Sequence, residues 1–281
     1  MPRNLWIGKP GLLREISQAA RSWDRSAELN LSEFRSLEGR VTAVAPARTT
    51  RRLKLAWEWL EPADAQHLTR LARRVNGAGM LGRNVYAGGA VALIDPASVN
   101  LLDPLQAAGQ SERANGADHW FTVSGALTIS PFVGDAVIGD CQDAATAIGW
   151  RHDTWAGHPV VPGMAMSWMV PPDWNPGLCS AQLDWKGADG GYLSSVSAAG
   201  PVVTGTAPEG AAFVTPVGKP GATGLTGLGG ACLTMGEPPE PYALGDGCPA
   251  MAITAFTDTP ASRLPYRNIS IDLVEVLGAA F

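Results

Sequence analysis

Glycine or proline interrupts this chain so often that few long elements can form. Of 281 residues, 33 are glycine and 22 are proline, nearly a fifth where average usage is roughly 12%. Proline removes a backbone donor and glycine adds conformational entropy to be lost. Such a sequence therefore favours many turns and short strands over long helices. Hydrophobic residues at 46% supply the apolar surface of a packed core and argue against disorder. A chain of this length forms one large all-β domain or two domains, and a compact fold of this size needs no metal or disulfide staple. No apolar run approaches the roughly 20 residues that cross a bilayer. The opening stretch MPRNLWIGKPGLLREIS, without an apolar centre or an Ala-x-Ala site, is not expected to be a secretory signal.

Charge is distributed unevenly. Residues 1–118 hold 16 Lys+Arg and 12 Asp+Glu, net +4, whereas residues 119–281 hold 5 and 14, net −9. The asymmetry predicts two domains, 1–118 and 119–281, and the overall −5 gives no general affinity for nucleic acid. Cys141, Cys179, Cys232 and Cys248 contain no Cys-x-x-Cys pair and are expected as buried, reduced thiols.

In the first region, Leu53, Leu55, Trp57 and Trp59 alternate with Arg52, Lys54 and Glu58, the pattern of a half-buried strand. Glu61-Pro62-Ala63-Asp64 reads as a helix start. Leu68, Leu71, Ala72 and Val75 follow at helical spacing, with Arg70, Arg73 and Arg74 in the last turn and Asn76-Gly77 as the stop. Arg48, Arg51 and Arg52 carry no phosphate-recognition motif and read as a solvated strand face or a protein contact. His67 stands without a ligand partner four residues away and is expected at the surface or an interface. A glycine-rich connection from Gly77 to Gly89 leads to Val91–Asp95, a short buried strand stopped by Pro96, and then to Asn100-Leu101-Leu102-Asp103-Pro104.

This order, with WEWLEPADAQHL, VALIDP and NLLDP, resembles the N-terminal domain of siphophage distal-tail or minor tail proteins, especially those of phages infecting actinobacteria, over about residues 20–105. The resemblance implies a β-rich domain with one helix. It implies a ring at the end of the tail tube, most often a hexamer, whose partners are other copies of the chain, the tail tube protein and other tail-tip or baseplate proteins. The location implied is the virion's tail tip, with synthesis in the host cytoplasm and no cofactor.

The second region offers eight or nine short strand candidates separated by turn residues. In Leu178–Trp185, Cys179, Ala181, Leu183 and Trp185 share one side, and in Ile269–Val276, Ile269, Ile271 and Leu273 do the same. Many strands at this spacing predict an antiparallel β-sandwich. It resembles a jelly roll of the carbohydrate-binding-module type, closed by Arg267–Val276. GKPGATGLTGLGG, from Gly218 to Gly230, is too short for a collagen helix and lacks the phosphate-loop pattern. It is expected as a mobile loop.

No nucleophile elbow, zincin or paired-cysteine motif occurs. His152, Asp153 and His158 fall within seven residues but lack an identifiable third ligand, so a hydrogen-bonded loop is expected there and no metal. Asp135, Asp140, Asp143 and Asp153 could supply a glycosidase pair, yet acids on sandwich turns are usually solvated. The expectation is a chain that is not an enzyme. Trp174 lies in a proline-bounded loop, Val170–Gly177. Exposed beside Asp173 and Asn175 it would stack on a sugar of the host cell wall; folded back, it would be a lid on the sandwich. Arg48, Arg51, Arg52, Arg70, Arg73 and Arg74 are the candidate oligomer interface, since arginine favours such contacts. The sequence thus points to a tail-tip ring subunit displaying a sandwich that touches host glycan, with a glycan hydrolase or a free lectin as the alternative.

Overall fold

The computed structural model describes residues 4–28, 31–44, 49–76, 89–95, 97–113, 115–132 and 136–276. The fold is mainly β, built from antiparallel sheets with two helices among the described residues. The chain forms two compact units, residues 1–15 with 92–249 and residues 16–91 with 250–281. The division at residue 118 expected from charge is replaced by this interleaved arrangement. Charge follows the units instead: the first holds seven Lys+Arg against sixteen Asp+Glu and the second fourteen against ten, net −9 and +4.

The reason lies in strand pairing. The Arg267–Glu275 strand was expected to close the sandwich, but it pairs with Thr50–Leu60, setting Ile271 opposite Leu55, Leu273 opposite Leu53 and Ile269 opposite Trp57. All six side chains are buried, so two period-2 apolar faces satisfy one another across 210-odd residues of chain. Ser22–Glu28 pairs with the other edge of Thr50–Leu60, and Ala250–Pro260 with the other edge of Arg267–Glu275. The Pro62–Arg73 helix packs on the last two strands through Ala65, Leu68 and Leu71. It ends one turn before Asn76-Gly77, because Arg74 itself adopts the left-handed conformation at φ 57° and Val75 N–H reaches back to Arg70. His67 is buried on this helix, not at the surface. Trp59 also departs from the expected alternation: a φ of 61° turns it outward and lets Leu60 take the inside position.

Between Ser22–Glu28 and Thr50–Leu60 the chain forms a separate hairpin, Ser32–Arg35 with Val41–Val44, in which Phe34 stands opposite Thr42. Every residue from 31 to 44 is exposed, including Leu31, Phe34, Leu37, Val41 and Val44.

The first unit is sandwich-like. One sheet runs in the order Tyr192–Ala199, Ser180–Lys186, Phe213–Lys219, Ala147–Trp150, Trp120–Ser124, and the short His158–Pro159 strand pairs Phe213–Lys219. A three-stranded sheet, Val202–Thr206, Ala165–Met169, Cys232–Met235, packs against it. Trp168 crosses the core and donates its indole N–H to the Val217 carbonyl at 3.0 Å. Trp150 meets Trp168 edge-on at 4.8 Å. The expected strand His119–Ser130 is in fact two, broken at Gly125, and they join different sheets. The glycine-rich segment is not wholly a loop either, since Gly224–Gly227 pairs antiparallel with Val137–Cys141. The four cysteines are buried and form no disulfide.

Asn100 ties the first unit together from a fully buried position. Its amide donates to the Ala231 and Ala243 carbonyls and its oxygen accepts from Leu102 and Leu233 N–H, at 3.0–3.1 Å. Four bonds leave no capacity of this side chain unused.

Candidate functional site

Trp174 does not offer a surface to a sugar. It is 5% exposed, its indole N–H donates to the Gly227 carbonyl at 2.8 Å, and its ring lies 6.0 Å from Trp150. The ring can settle there because position 218 is glycine, where a Cβ would lie 2.8 Å from the indole. Burial of so much apolar surface outweighs exposure on a loop, and the lid is what forms. Asn175 is likewise engaged locally, its Oδ1 accepting from Gly177 N–H at 3.0 Å.

Asp173 faces the other way, into an open groove of about 300 Å³ lined by Pro104, Ala107, Gly229, Gly230, Tyr242 and Leu244 among others. There it accepts a 2.8 Å hydrogen bond from the hydroxyl of Tyr242. Tyr242 is 65% exposed and sits at φ 58°, an uncommon place for a bulky residue that costs of order 1 kcal/mol. Three constraints hold it: the bond to Asp173, its own N–H to the Gly230 carbonyl at 3.2 Å, and the absence of a side chain at Gly230, where a Cβ would lie 2.8 Å from the ring. The Asp173 carboxylate holds the Tyr242 hydroxyl above the usual phenol range, chiefly through that hydrogen bond. The result is a fixed, exposed aromatic face with a carboxylate at its polar end. Such a pair can stack on the C–H face of a pyranose and accept bonds from its hydroxyls. The signal for Tyr242 was an aromatic inside a second proline-rich stretch, Glu237–Gly247. Sequence spacing gave no means of choosing which loop aromatic turns inward.

The histidines serve the fold. His152 is hydrogen-bonded to the Cys248 carbonyl through Nε2 at 2.9 Å, and its Nδ1 accepts from Thr154 N–H. His158 packs edge-on against it at 5.3 Å. Burial, aided by the nearby His152, holds His158 well below the usual imidazole range. His119 is fully buried, with Asp103, Asp118 and Asp153 at 3.8–3.9 Å. Among the described residues no group of three or more His, Cys, Asp or Glu side chains is arranged to hold a metal ion.

The candidate glycosidase carboxylates are divided among separate local roles. Asp140 accepts from Gln142 and Asp143 caps the turn at Ala145, Asp153 lies beside His119, and Asp135 is outside the described residues. Of the arginines expected at an interface, Arg51 is committed within the chain to a two-pronged pair with Glu275 at 2.8–2.9 Å. Arg52 and Arg73 are exposed, Arg70 is half-buried and contacts Gln66, Arg74 caps the helix, and Arg48 lies outside the described residues.

Comparison with protein families gives no matching family, and comparison with curated proteins gives no matching relative. Among solved structures the chain has a slight likeness to the enzymatically active domain of tailspike protein 4 from bacteriophage CBA120. It is 14% identical with a TM-score of 0.32, covering 49% of this chain and 21% of that one. That neighbour is a tailspike domain described as enzymatically active, and the expectation that this chain is not an enzyme is withdrawn.

Proposed function

We propose that this chain serves on a phage tail as a glycan-contacting protein, with the Tyr242–Asp173 groove as its contact. The observation that carries this reading is the strained, exposed Tyr242 ring locked by Asp173. A preorganised aromatic loses little entropy on binding, and the glycine floor admits a flat ring. No Lys or Arg is among the described residues lining the groove and Asp173 is, which disfavours an anionic ligand; the ligand proposed is a neutral sugar. The finer reading, a ring at the distal end of the tail tube, draws support from the exposed hairpin of residues 31–44. An isolated hairpin is marginal in water, and clustered exposed apolar residues mark a surface that another subunit covers. Partners in that reading are further copies of the chain, the tail tube protein and other tail-tip proteins.

The test is titration calorimetry of the purified chain with uncharged host wall oligosaccharides. Binding is expected, with a loss of tenfold or more in Tyr242→Ala, while Asn175→Ala binds as the parent does. Equal binding by Tyr242→Ala overturns the reading. The same incubations are assayed for new reducing ends, whose appearance moves the role from contact to hydrolysis.

A further inference from the structure

The first unit carries a second groove of about 390 Å³, lined by Asn4, Trp6, Glu15, Met164, Met235 and Glu237 among others. Its chemistry parallels the Tyr242 groove without sharing any lining residue. Trp6 is half-buried and packs on the core, so the indole is fixed. Glu15 is exposed and held at one oxygen by the Asn4 amide at 2.8 Å. Gly163 and Gly236, both at positive φ with open space around them, keep two rims low. No cationic side chain is among the described residues lining the groove, and two carboxylates there repel an anionic ligand.

The topology places the two grooves at opposite ends of one pair of strands. Ala165–Met169 and Cys232–Met235 run antiparallel, with Met166 opposite Met235 and Met169 opposite Cys232. One end of this pair leads into Pro172, Asp173, Gly229 and Gly230 and the other into Gly163, Met164, Gly236 and Glu237. Gly230 and Gly236 are six positions apart, so the grooves are on the order of 20 Å apart along the strands.

We propose that the Trp6–Glu15 groove is a second subsite for an uncharged saccharide, which makes the unit bivalent for a neutral polysaccharide. This deepens the glycan reading and rests on it. Trp6 supplies the stacking face, Glu15 accepts bonds from ring hydroxyls, and the Asn4 amide donates to and accepts from them. Two weak sites flanking opposite ends of one strand pair raise avidity for a polymer by roughly 10²-fold without any new contact.

Calorimetry with cellotetraose, maltotetraose, mannotetraose and tetra-N-acetylchitotetraose, and with tetragalacturonate as the anionic control, tests it. At least one neutral tetrasaccharide is expected to bind with two sites per chain, and tetragalacturonate with none. Glu15→Ala, at an exposed position, is expected to remove one site and Tyr242→Ala the other; Trp6→Ala repeats the Glu15 result if it folds. Two sites retained in Glu15→Ala, or a single site lost only in Tyr242→Ala, overturns the second subsite and leaves the first groove standing. Failure of all four neutral sugars, or preference for tetragalacturonate, overturns both.

Discussion

The hydroxyl of Tyr242 donates to Asp173 Oδ1 across 69 residues of sequence, at 2.8 Å. The bond joins two proline-rich loops into one edge of a groove. Because it holds the phenol's proton, Tyr242 should titrate above the ordinary phenol value of 10.0 in ultraviolet absorbance. The folded value is raised, so the bond's contribution is complete below the ordinary phenol value of 10.0 and is lost as pH rises through the folded one. Asp173→Asn should lower the Tyr242 value toward the ordinary phenol one and weaken glycan binding several-fold.

Asn100 should be the least replaceable polar residue of the first unit. Asn100→Ala leaves the Ala231 and Ala243 carbonyls and the Leu102 and Leu233 amides without this partner. A loss of about 3 kcal/mol or more is expected in urea unfolding. Asn100→Asp keeps the acceptor but buries a charge without its two donors, and should be at least as damaging.

Buried His158 gives the fold an acid-sensitive step. Its folded value lies below the ordinary 6.5, so the unfolded chain takes up a proton first as pH falls. Stability should therefore drop on going from pH 7 to pH 5, by about 1.4 kcal/mol for each unit between the folded and unfolded values. In His158→Gln that slope should flatten, whatever the absolute stability of the variant.

Arg267 and Asp258 form a two-pronged pair with both contacts at 2.7 Å. Its bond to Arg267, with the nearby Arg267 and Arg73 charges, holds Asp258 below the usual carboxylate range. The contribution is present above the ordinary carboxylate value and fades as pH falls through the lowered one. With Arg267 partly exposed, solvent screening keeps the pair's contribution small; Asp258→Asn should remove it at pH 7, and the difference between variant and parent should shrink as pH falls through the lowered carboxyl value.

The hairpin of residues 31–44 should govern self-association. Replacing Phe34 and Leu37 together by Ser, both exposed, should leave the circular dichroism unchanged and shift sedimentation toward the monomer. An unchanged sedimentation profile would remove the hairpin from the interface.

Local pattern was enough for the elements whose information is local. The strand through Leu53, Leu55 and Trp57, the helix opened by Pro62, and the Ser180–Lys186 and Arg267–Glu275 strands all follow from period 2 or 3.6 in apolar residues, because side-chain direction repeats with the backbone. Pairing is not local. The same alternation in Arg267–Glu275 suits either sheet, and the buried faces of Leu53, Leu55 and Trp57 decided for one of them, carrying the unit boundaries and the charge division with it. The site divided the same way. The sequence by itself marked one proline-bounded aromatic, Trp174, with Asp173 and Asn175 beside it, and did not single out Tyr242. The tertiary structure chose Trp174 for the core and Tyr242 for the surface, because a cavity over Gly218 accepts the larger ring while Gly230 and Asp173 brace the smaller one outside.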